Sequence, residues 1–370
     1  MSKTRALFLL PSLDGGGAER VFVTLLRHVS RQDLELHLAV FDRRGAFLQE
    51  LPPDVTIHDL KAPRVSRGCL ALLRTIWRLR PDVVFSTTTH LNIATALLRP
   101  LMPAATRLVL RETNVGQHLG QARSLRRIGP RRIGLIYRLA DTVICQTDYM
   151  RDDLVAGFRL PLEKLVRIDN PVDFDRVERL ARADGDPFSA NSPGPHVVAV
   201  GSLQNVKGFD RLIVSFRGLL AAKPDAQLWI LGQGPLEFEL KQLAERLGLD
   251  DHVHFTGFQA NPFRWLRHAD LFVLSSRFES APNVLLAAVA CECPVVALEH
   301  QGGTRELLQR LGLESRMVAS LDAWQLRWFE RPPTTARELV RNHFSVERVA
   351  ARYTTVLSGR QAAAPTSRAA

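Results

Sequence analysis

Short apolar runs and amphipathic stretches alternate in two successive series along the chain. In the first, residues 5–10, Leu36–Phe41, Val55–Leu60, Asp82–Ser86, Leu108–Leu110 and Ala140–Thr147 read as strands. The helical spacing of Val21, Leu25, Leu26 and Val29 predicts a helix between the first two. Leu70–Leu79 and Asp148–Ala156 predict two more. Ala183–His196 is rich in Gly, Pro, Ser and Asp and reads as an exposed loop. Beyond it, strands fall at Val197–Val200, Gln227–Leu231, Val253–Thr256, Ala269–Leu274 and Val295–Leu298, with helices over Phe209–Ala222, Leu236–Leu247 and Val284–Ala290. Continuous apolar strands separated by helices are the mark of parallel sheets covered on both faces. The pattern therefore predicts an α/β protein of two Rossmann-like domains, residues 1–172 and 173–345. A helix over 346–360 is expected to return to the first domain, and the Ala/Ser/Pro-rich tail 361–370 to be disordered.

Charge changes this picture in one respect. The net charge is +11, and residues 1–172 hold 26 Lys and Arg against 16 Asp and Glu, whereas the remainder is nearly balanced. The first half is thus expected to meet something anionic. No zinc-finger, helix-turn-helix or RNP wording points to nucleic acid. The densest basic stretch contains Arg123, Arg126, Arg127, Arg131 and Arg132, interleaved with Leu125, Ile128, Ile133 and Leu135. Basic and apolar residues mixed without acids suit an anionic membrane surface or a phosphate-bearing lipid. No apolar run approaches the ~20 residues of a membrane span, and the short apolar start reads as a buried strand rather than a signal peptide. The cysteines Cys69, Cys145, Cys291 and Cys293 form no C-x-x-C pair and sit among apolar residues, which implies core packing in a reducing cytoplasm.

Candidate chemistry collects at strand ends, where open α/β sheets bind ligands. The glycines before Ala18-Glu19-Arg20, including Gly16 and Gly17, join a strand to a helix and would let backbone approach a charged ligand. Thr87, Thr88, Thr89, His90 and Asn92 follow another strand; His90 there either orients ligand hydroxyls or moves a proton, or else caps the helix or makes a buried hydrogen bond. Arg111, Glu112 and Asn114 repeat the placement. In the second series, Pro282 and Asn283 open a helix that Pro294 ends, so the helix start next to Glu279 is a ready anion site. Asp173-Phe-Asp175 spells D-x-D, but its position after Asn170-Pro171 predicts a turn and helix cap, not a metal site.

The wording of these loops is distinctive. Gly-Gly-Gly-Ala-Glu-Arg-Val ending at Val21, Asn170-Pro-Val-Asp173, Lys207-Gly-Phe-Asp210, Gly257-Phe-Gln-x-Asn-Pro262 and Ser276-Arg-Phe-Glu279-x-x-Pro-Asn-Val-Leu-Leu286 closely resemble the retaining glycosyltransferases of family four. The resemblance runs from Leu7 to about Leu357. It implies the GT-B architecture, two Rossmann-like domains facing a central cleft, and transfer of a sugar from a nucleoside diphosphate without metal or other cofactor. Glu279 would hold sugar hydroxyls and stabilise the oxocarbenium-like state, with His90 and Glu112 as further catalytic candidates. Donor binding would fall to Gly16, Gly17, Ser202, Lys207, Gln259 (facing the base), Pro282, Asn283, Val284, Leu285, Ala287, Gly302, Gly303 and Glu306. Asn92, Arg111 and Asn114 would lie on the acceptor side.

Four positions depart from the family pattern. Ser202 replaces an Arg, Ala287 replaces the second Glu of the donor motif, and Ser280 and Glu292 each replace a Gly. The implied protein moves a hexose or N-acetylhexosamine from UDP to a lipid-linked (polyprenyl-phosphate) or cell-surface glycan of the lipopolysaccharide or exopolysaccharide kind, at the cytoplasmic membrane face. Ser202 and Ala287 motivate the alternative, a weak or inactive homologue that binds partners in glycan assembly. A nucleotide-sugar epimerase or phosphorylase is the third reading; the absence of a lysine suited to a cofactor Schiff base argues against it.

Overall fold

A computed structural model describes residues 3–14, 16–114, 128–183, 185–188 and 194–360. Arg123, Arg126, Arg127 and the tail 361–370 lie outside them. The chain divides into two compact units, one of Met1–Pro171 with Val346–Ala370, the other of Val172–Ser345.

The first unit alternates β1 (Thr4–Leu10), α1 (Gly17–His28), β2 (Leu34–Val40), β3 (Thr56–Asp59), α2 (Val65–Leu79), β4 (Val83–Thr87), α3 (Thr89–Leu98), β5 (Arg107–Arg111), α4 (Pro130–Tyr137), β6 (Thr142–Cys145), α5 (Asp148–Ala156) and β7 (Leu165–Arg167). The seven strands form one parallel sheet in the order β3-β2-β1-β4-β5-β6-β7. Side chains alternate across it. Ala6, Phe8 and Leu10 join Phe22, Phe85 and Tyr353 in one core, with Phe8 and Phe85 edge-to-face at 5.1 Å. Tyr353 belongs to the last helix, α13 (Val346–Ser358), which packs on α1, β1 and β4. The sheet has one strand more than the apolar pattern predicts. Leu165–Arg167 is a three-residue, half-buried edge strand, too short to show a period.

The second unit runs α6 (Phe174–Ala181), β8 (His196–Val200), α7 (Phe209–Ala222), β9 (Gln227–Leu231), α8 (Glu237–Arg246), β10 (Val253–Gly257), α9 (Phe263–His268), β11 (Leu271–Leu274), β12 (Phe278–Glu279), α10 (Asn283–Ala290), β13 (Val295–Leu298), β14 (Gln301–Gly302), α11 (Thr304–Arg310), β15 (Met317–Val318) and α12 (Thr334–Phe344). Its main sheet is parallel in the order β10-β9-β8-β11-β13-β15, and β12 pairs with β14 beside it. The Asp173 carboxylate accepts from the Arg176 backbone N–H at 2.9 Å, so the D-x-D segment caps α6. Cys145 and Cys291 are buried, and burial pushes both thiols up to about 12.

In each sheet the strand order reverses once beside the first strand, between β1 and β4 and between β8 and β11. Two loops diverge at such a point and leave a crevice at the carboxyl ends of the strands. Both groups of candidate residues stand there.

Candidate functional site

In the second unit, the loop after β8 and the segment after β11 meet. Lys207 closes a short 3-10 turn (Asn205–Lys207), and Gly208 follows with φ +65°. A side chain at Gly208 would press its Cβ to 2.2 Å from the Ser275 carbonyl, so glycine alone lets the two loops touch. The Lys207 ammonium then reaches Glu279 Oε1 at 2.7 Å, and Ser276 Oγ donates to the same oxygen at 2.7 Å. Ser275 Oγ donates to the Lys207 carbonyl at 2.9 Å, which ties the lysine's own backbone to the opposite loop.

The loops are also clamped from below. Arg211 Nε donates to the Ser275 carbonyl at 2.8 Å, and its Nη2 to that of Ser276. Arg277 grips Asp210 with two bonds of 2.7 and 2.6 Å, the fork geometry that best orients a guanidinium. This holds the Asp210 carboxyl below its usual range. Glu279 is fixed from its other side too: β12 pairs with β14, and Gly303 N–H donates to the Glu279 carbonyl at 2.9 Å. A Cβ at Gly302 would lie 2.1 Å from that carbonyl. The result is a mostly buried carboxylate and a partly exposed ammonium held rigidly four residues before the start of α10. Such a group can hold hydroxyls with one oxygen while a cation and the positive end of the helix meet an anion.

In the first unit, the end of β5, next to β4, is built around Arg111 and Glu112. The Arg111 side chain is buried and donates to Tyr353 Oη at 3.2 Å, to Thr87 Oγ1 at 3.3 Å and to Asn170 Oδ1 at 2.5 Å. Glu112 is wholly buried. Its Oε1 accepts from Thr89 Oγ1 at 2.6 Å and from the backbone N–H groups of Thr113 and Asn114 at 2.8 and 2.9 Å, and its Oε2 accepts from Tyr137. Burial, reinforced by this carboxylate, raises the Tyr137 phenol well above its usual range, so it stays a donor. Asn92, also fully buried, donates to the Arg111 carbonyl at 2.9 Å.

Two family models match this chain, one described as Glycosyltransferase Family 4 over residues 15–176 and one as Glycosyl transferases group 1 over 194–326. The chain belongs to the group 1, family 4 glycosyltransferases. It is 29% identical over 311 residues to N-acetylgalactosamine-N,N'-diacetylbacillosaminyl-diphospho-undecaprenol 4-alpha-N-acetylgalactosaminyltransferase of Campylobacter jejuni, covering 80% of this chain and 81% of that one. It is 26% identical to the lipopolysaccharide core biosynthesis glycosyltransferase LpsD of Rhizobium meliloti, over 78% and 76% of the two chains. Its fold is similar to that of Anabaena Alr3699/HepE solved with UDP-glucose, with TM-score 0.75, 19% identity and coverage of 96% and 99%. It is likewise similar to WaaG, a glycosyltransferase involved in lipopolysaccharide biosynthesis, with TM-score 0.71, 16% identity and coverage of 96% and 100%. The architecture is GT-B.

Set on this transferase, the expected site residues divide into three groups. Lys207 and Glu279 come together, with Ser202 half-buried in the same loop after β8, Gly302 on β14, and Gly303 and Glu306 at the start of α11. Pro282, Asn283 and Val284 form the start of α10. The Leu285 side chain is fully buried in the core, so only its backbone can serve a ligand. Ala287, one turn into α10, packs against the same core. Gln259 anchors its amide on the Thr256 carbonyl at 2.8 Å, beyond β10.

The second group is a correction. Glu112, Arg111 and Asn92, expected to touch substrate, are buried side chains whose polar atoms hold β4, β5, α3, α4 and α13 together. A charge in the interior must be satisfied by the protein itself, and Arg111 and Glu112 are bonded to protein partners, whereas Asn92 donates through its Nδ2 and its Oδ1 has no partner among the described residues. Asn114 stands at the rim of this network and donates to Thr89 Oγ1 at 3.3 Å. The third group is exposed: Gly16 and Gly17 open α1, and His90 stands in the first turn of α3, where the crowding of the protein lowers its pKa.

Residues to which the sequence reading gave no individual role include Ser275, Ser276, Arg211 and the Arg277–Asp210 pair, which place Lys207 and Glu279. Repeated serines and arginines carry no signal in one sequence, because their meaning lies in the loop they face. His300 is another: its Nδ1 lies 2.8 Å from the Gln301 carbonyl. Burial lowers its pKa, opposed by that carbonyl and Glu279 and assisted by Arg211 and Lys207.

Proposed function

We propose that this protein transfers a hexosyl or N-acetylhexosaminyl group from a UDP-sugar to a lipid-linked or cell-surface glycan, with retention at the transferred carbon. The observation that carries the reading is the Lys207–Glu279 pair, 2.7 Å apart at the switch point of the second unit and next to the start of α10. The departing diphosphate gains charge as the sugar bond breaks, and Lys207 with the α10 N–H groups supplies the compensating field without a metal. Glu279 Oε2 is left for sugar hydroxyls. Support for UDP comes from the UDP and UDP-glucose complexes of a protein of the same fold, and support for a lipid-linked acceptor from the name of the Campylobacter relative.

Ser202 and Ala287 remove two polar partners of the nucleotide, and each lost charge-assisted bond costs about 1.5–3 kcal/mol. They favour the second reading, a homologue that binds partners in glycan assembly and transfers nothing. Calorimetry with UDP separates the two. The transferase reading expects saturable binding that Ser202→Arg tightens by roughly tenfold. Absence of binding by both proteins would leave the assembly role.

A peripheral place on the inner face of an anionic membrane belongs to the same proposal. From Lys61 to Arg138 the chain holds 15 Lys and Arg and only two carboxylates, Asp82 and Glu112, the latter buried. Helices α2 and α4, each packed against α3, expose with it Leu70, Trp77, Leu97 and Leu135, and α4 also exposes Arg131 and Arg132. Among the described residues no helix is long and apolar enough to cross a membrane. Each basic residue near such a surface adds ~1 kcal/mol, which salt weakens. Arg131→Gln with Arg132→Gln should reduce co-sedimentation with vesicles containing phosphatidylglycerol by several-fold; undiminished sedimentation would remove the membrane from the account.

A further inference from the structure

With Glu112 used internally, the carboxylate presented at the switch point of the first unit is Glu19. It sits at the third position of α1, and β1 leads into that helix exactly where β1 and β4 part, the pairing ending at Leu9 opposite Ser86. The side chain folds back over the helix start, so that a Cβ at Gly16 would lie 2.2 Å from Glu19 Oε2. Glycine at that position is what gives the carboxylate its place. No Lys or Arg among the described residues lies within ion-pair distance of it, although the protein half-buries it. Burial raises its pKa above the usual carboxylate range, and Asp14 adds to the effect; its own backbone N–H and the charge of Arg111 oppose it.

The neighbouring loop, after β4, carries an independent mark of function. Thr88 adopts φ +68°, a region that a β-branched residue enters only under constraint, and its Oγ1 is buried with no hydrogen-bond partner among the described residues. Such strain is maintained by the surrounding structure at ligand clamps and active sites. Exposed His90 follows it by two residues. Two loops from adjacent strands thus bring a partly desolvated carboxylate without a cationic partner and a strained turn to the crevice where a parallel sheet takes its ligand.

We propose that Glu19 is the residue of the first unit that binds the accepting hydroxyl: its carboxylate receives a hydrogen bond from the sugar hydroxyl onto which the glycosyl group is moved, and so orients that oxygen. This rests on the transferase reading. Beyond its own backbone N–H, this half-buried carboxylate has no cation in ion-pair distance among the described residues, so its remaining lone pairs can take a hydroxyl donor, whereas an anion would be repelled. The ligand class is therefore a neutral sugar face rather than a phosphate. Because an acid whose pKa rises on folding weakens the fold above that pKa, Glu19 costs the free protein stability at neutral pH. A group kept at such a cost is expected to be used.

The experiment compares wild type, Glu19→Gln and Glu19→Asp in the full chain. UDP affinity is measured by calorimetry, hydrolysis of UDP-glucose and UDP-N-acetylglucosamine without acceptor, and transfer from both onto a panel of decyl hexosides and decyl 2-acetamidohexosides. Glu19→Gln should keep the melting temperature or raise it, keep UDP affinity and donor hydrolysis within twofold, and lower kcat/KM for the decyl glycoside by roughly 10- to 100-fold. The acid limb of the transfer profile, in which activity rises with pH as Glu19 ionises, should vanish in Glu19→Gln and persist in Glu19→Asp. Unchanged transfer by Glu19→Gln, or equal losses of transfer, hydrolysis and UDP affinity, would overturn the assignment, as would wild-type hydrolysis with no transfer to any glycoside. Failure of wild type to bind UDP at all is a different result, and it removes the transferase reading itself.

Discussion

Lys207→Ala is expected to lower transfer by roughly a thousandfold or more while moving the melting temperature by only a few degrees. Lys207 is the cation that the structure holds against Glu279, at 2.7 Å, with its aliphatic stem laid across Gly201. Removing it leaves a diphosphate to gather charge against helix N–H groups alone. The cost to the fold is small because the pair is partly exposed and Glu279 keeps its bond from Ser276. The variant should also bind UDP more weakly, which calorimetry reads separately from turnover. Transfer by Lys207→Ala within threefold of wild type would show that the pair is structural and that the diphosphate lies elsewhere.

Arg111→Met has the opposite signature. The guanidinium is buried and joins Thr87 at the end of β4, Asn170 at the end of the first unit's main chain segment, and Tyr353 on α13. Methionine approximates the stem but leaves the Asn170 carbonyl and the Thr87 hydroxyl without their donor. Each buried acceptor left without its donor costs about 1–3 kcal/mol, so the loss of two comes to about 3–5 kcal/mol. For a unit of this size that corresponds to a fall of roughly 10 °C in the melting temperature. UDP binding by the second unit should be retained at temperatures where the protein is folded. Thermal unfolding followed by circular dichroism, paired with UDP calorimetry, checks both halves. A fall of less than 2 °C would mean that Arg111 is not the tie between these three elements.

Lys207 and Arg111 mark how far local sequence carries toward a tertiary arrangement. Lys207 and Glu279 each stand inside a run of specific neighbours, and the structure brings their side chains together at 2.7 Å. The bounds of α7 and β9 were legible residue by residue, since their apolar spacing is regular and glycine or proline stands nearby. Glu112 and Arg111 misled for a reason equally physical. A charged residue at the carboxyl end of a strand is compatible with facing either a ligand or the interior. Only the partners decide, and those of Arg111 come from residues 24, 59 and 242 positions away. Glu19 lay in plain view in the glycine loop, but nothing in its neighbours tells that it folds back on Gly16 and stays unpaired.

By itself, then, the sequence determined the class of fold, the two alternating series and the family, all properties of local order: period, propensity and the spacing of residues within one loop. Tertiary structure alone decided which charges are spent on the interior and which are offered outward, because desolvation and hydrogen-bond satisfaction depend on residues brought together from far along the chain. For the same carboxylate chemistry, burial with four donors made Glu112 a fastener, and half-burial with none from a neighbouring cation left Glu19 for a ligand.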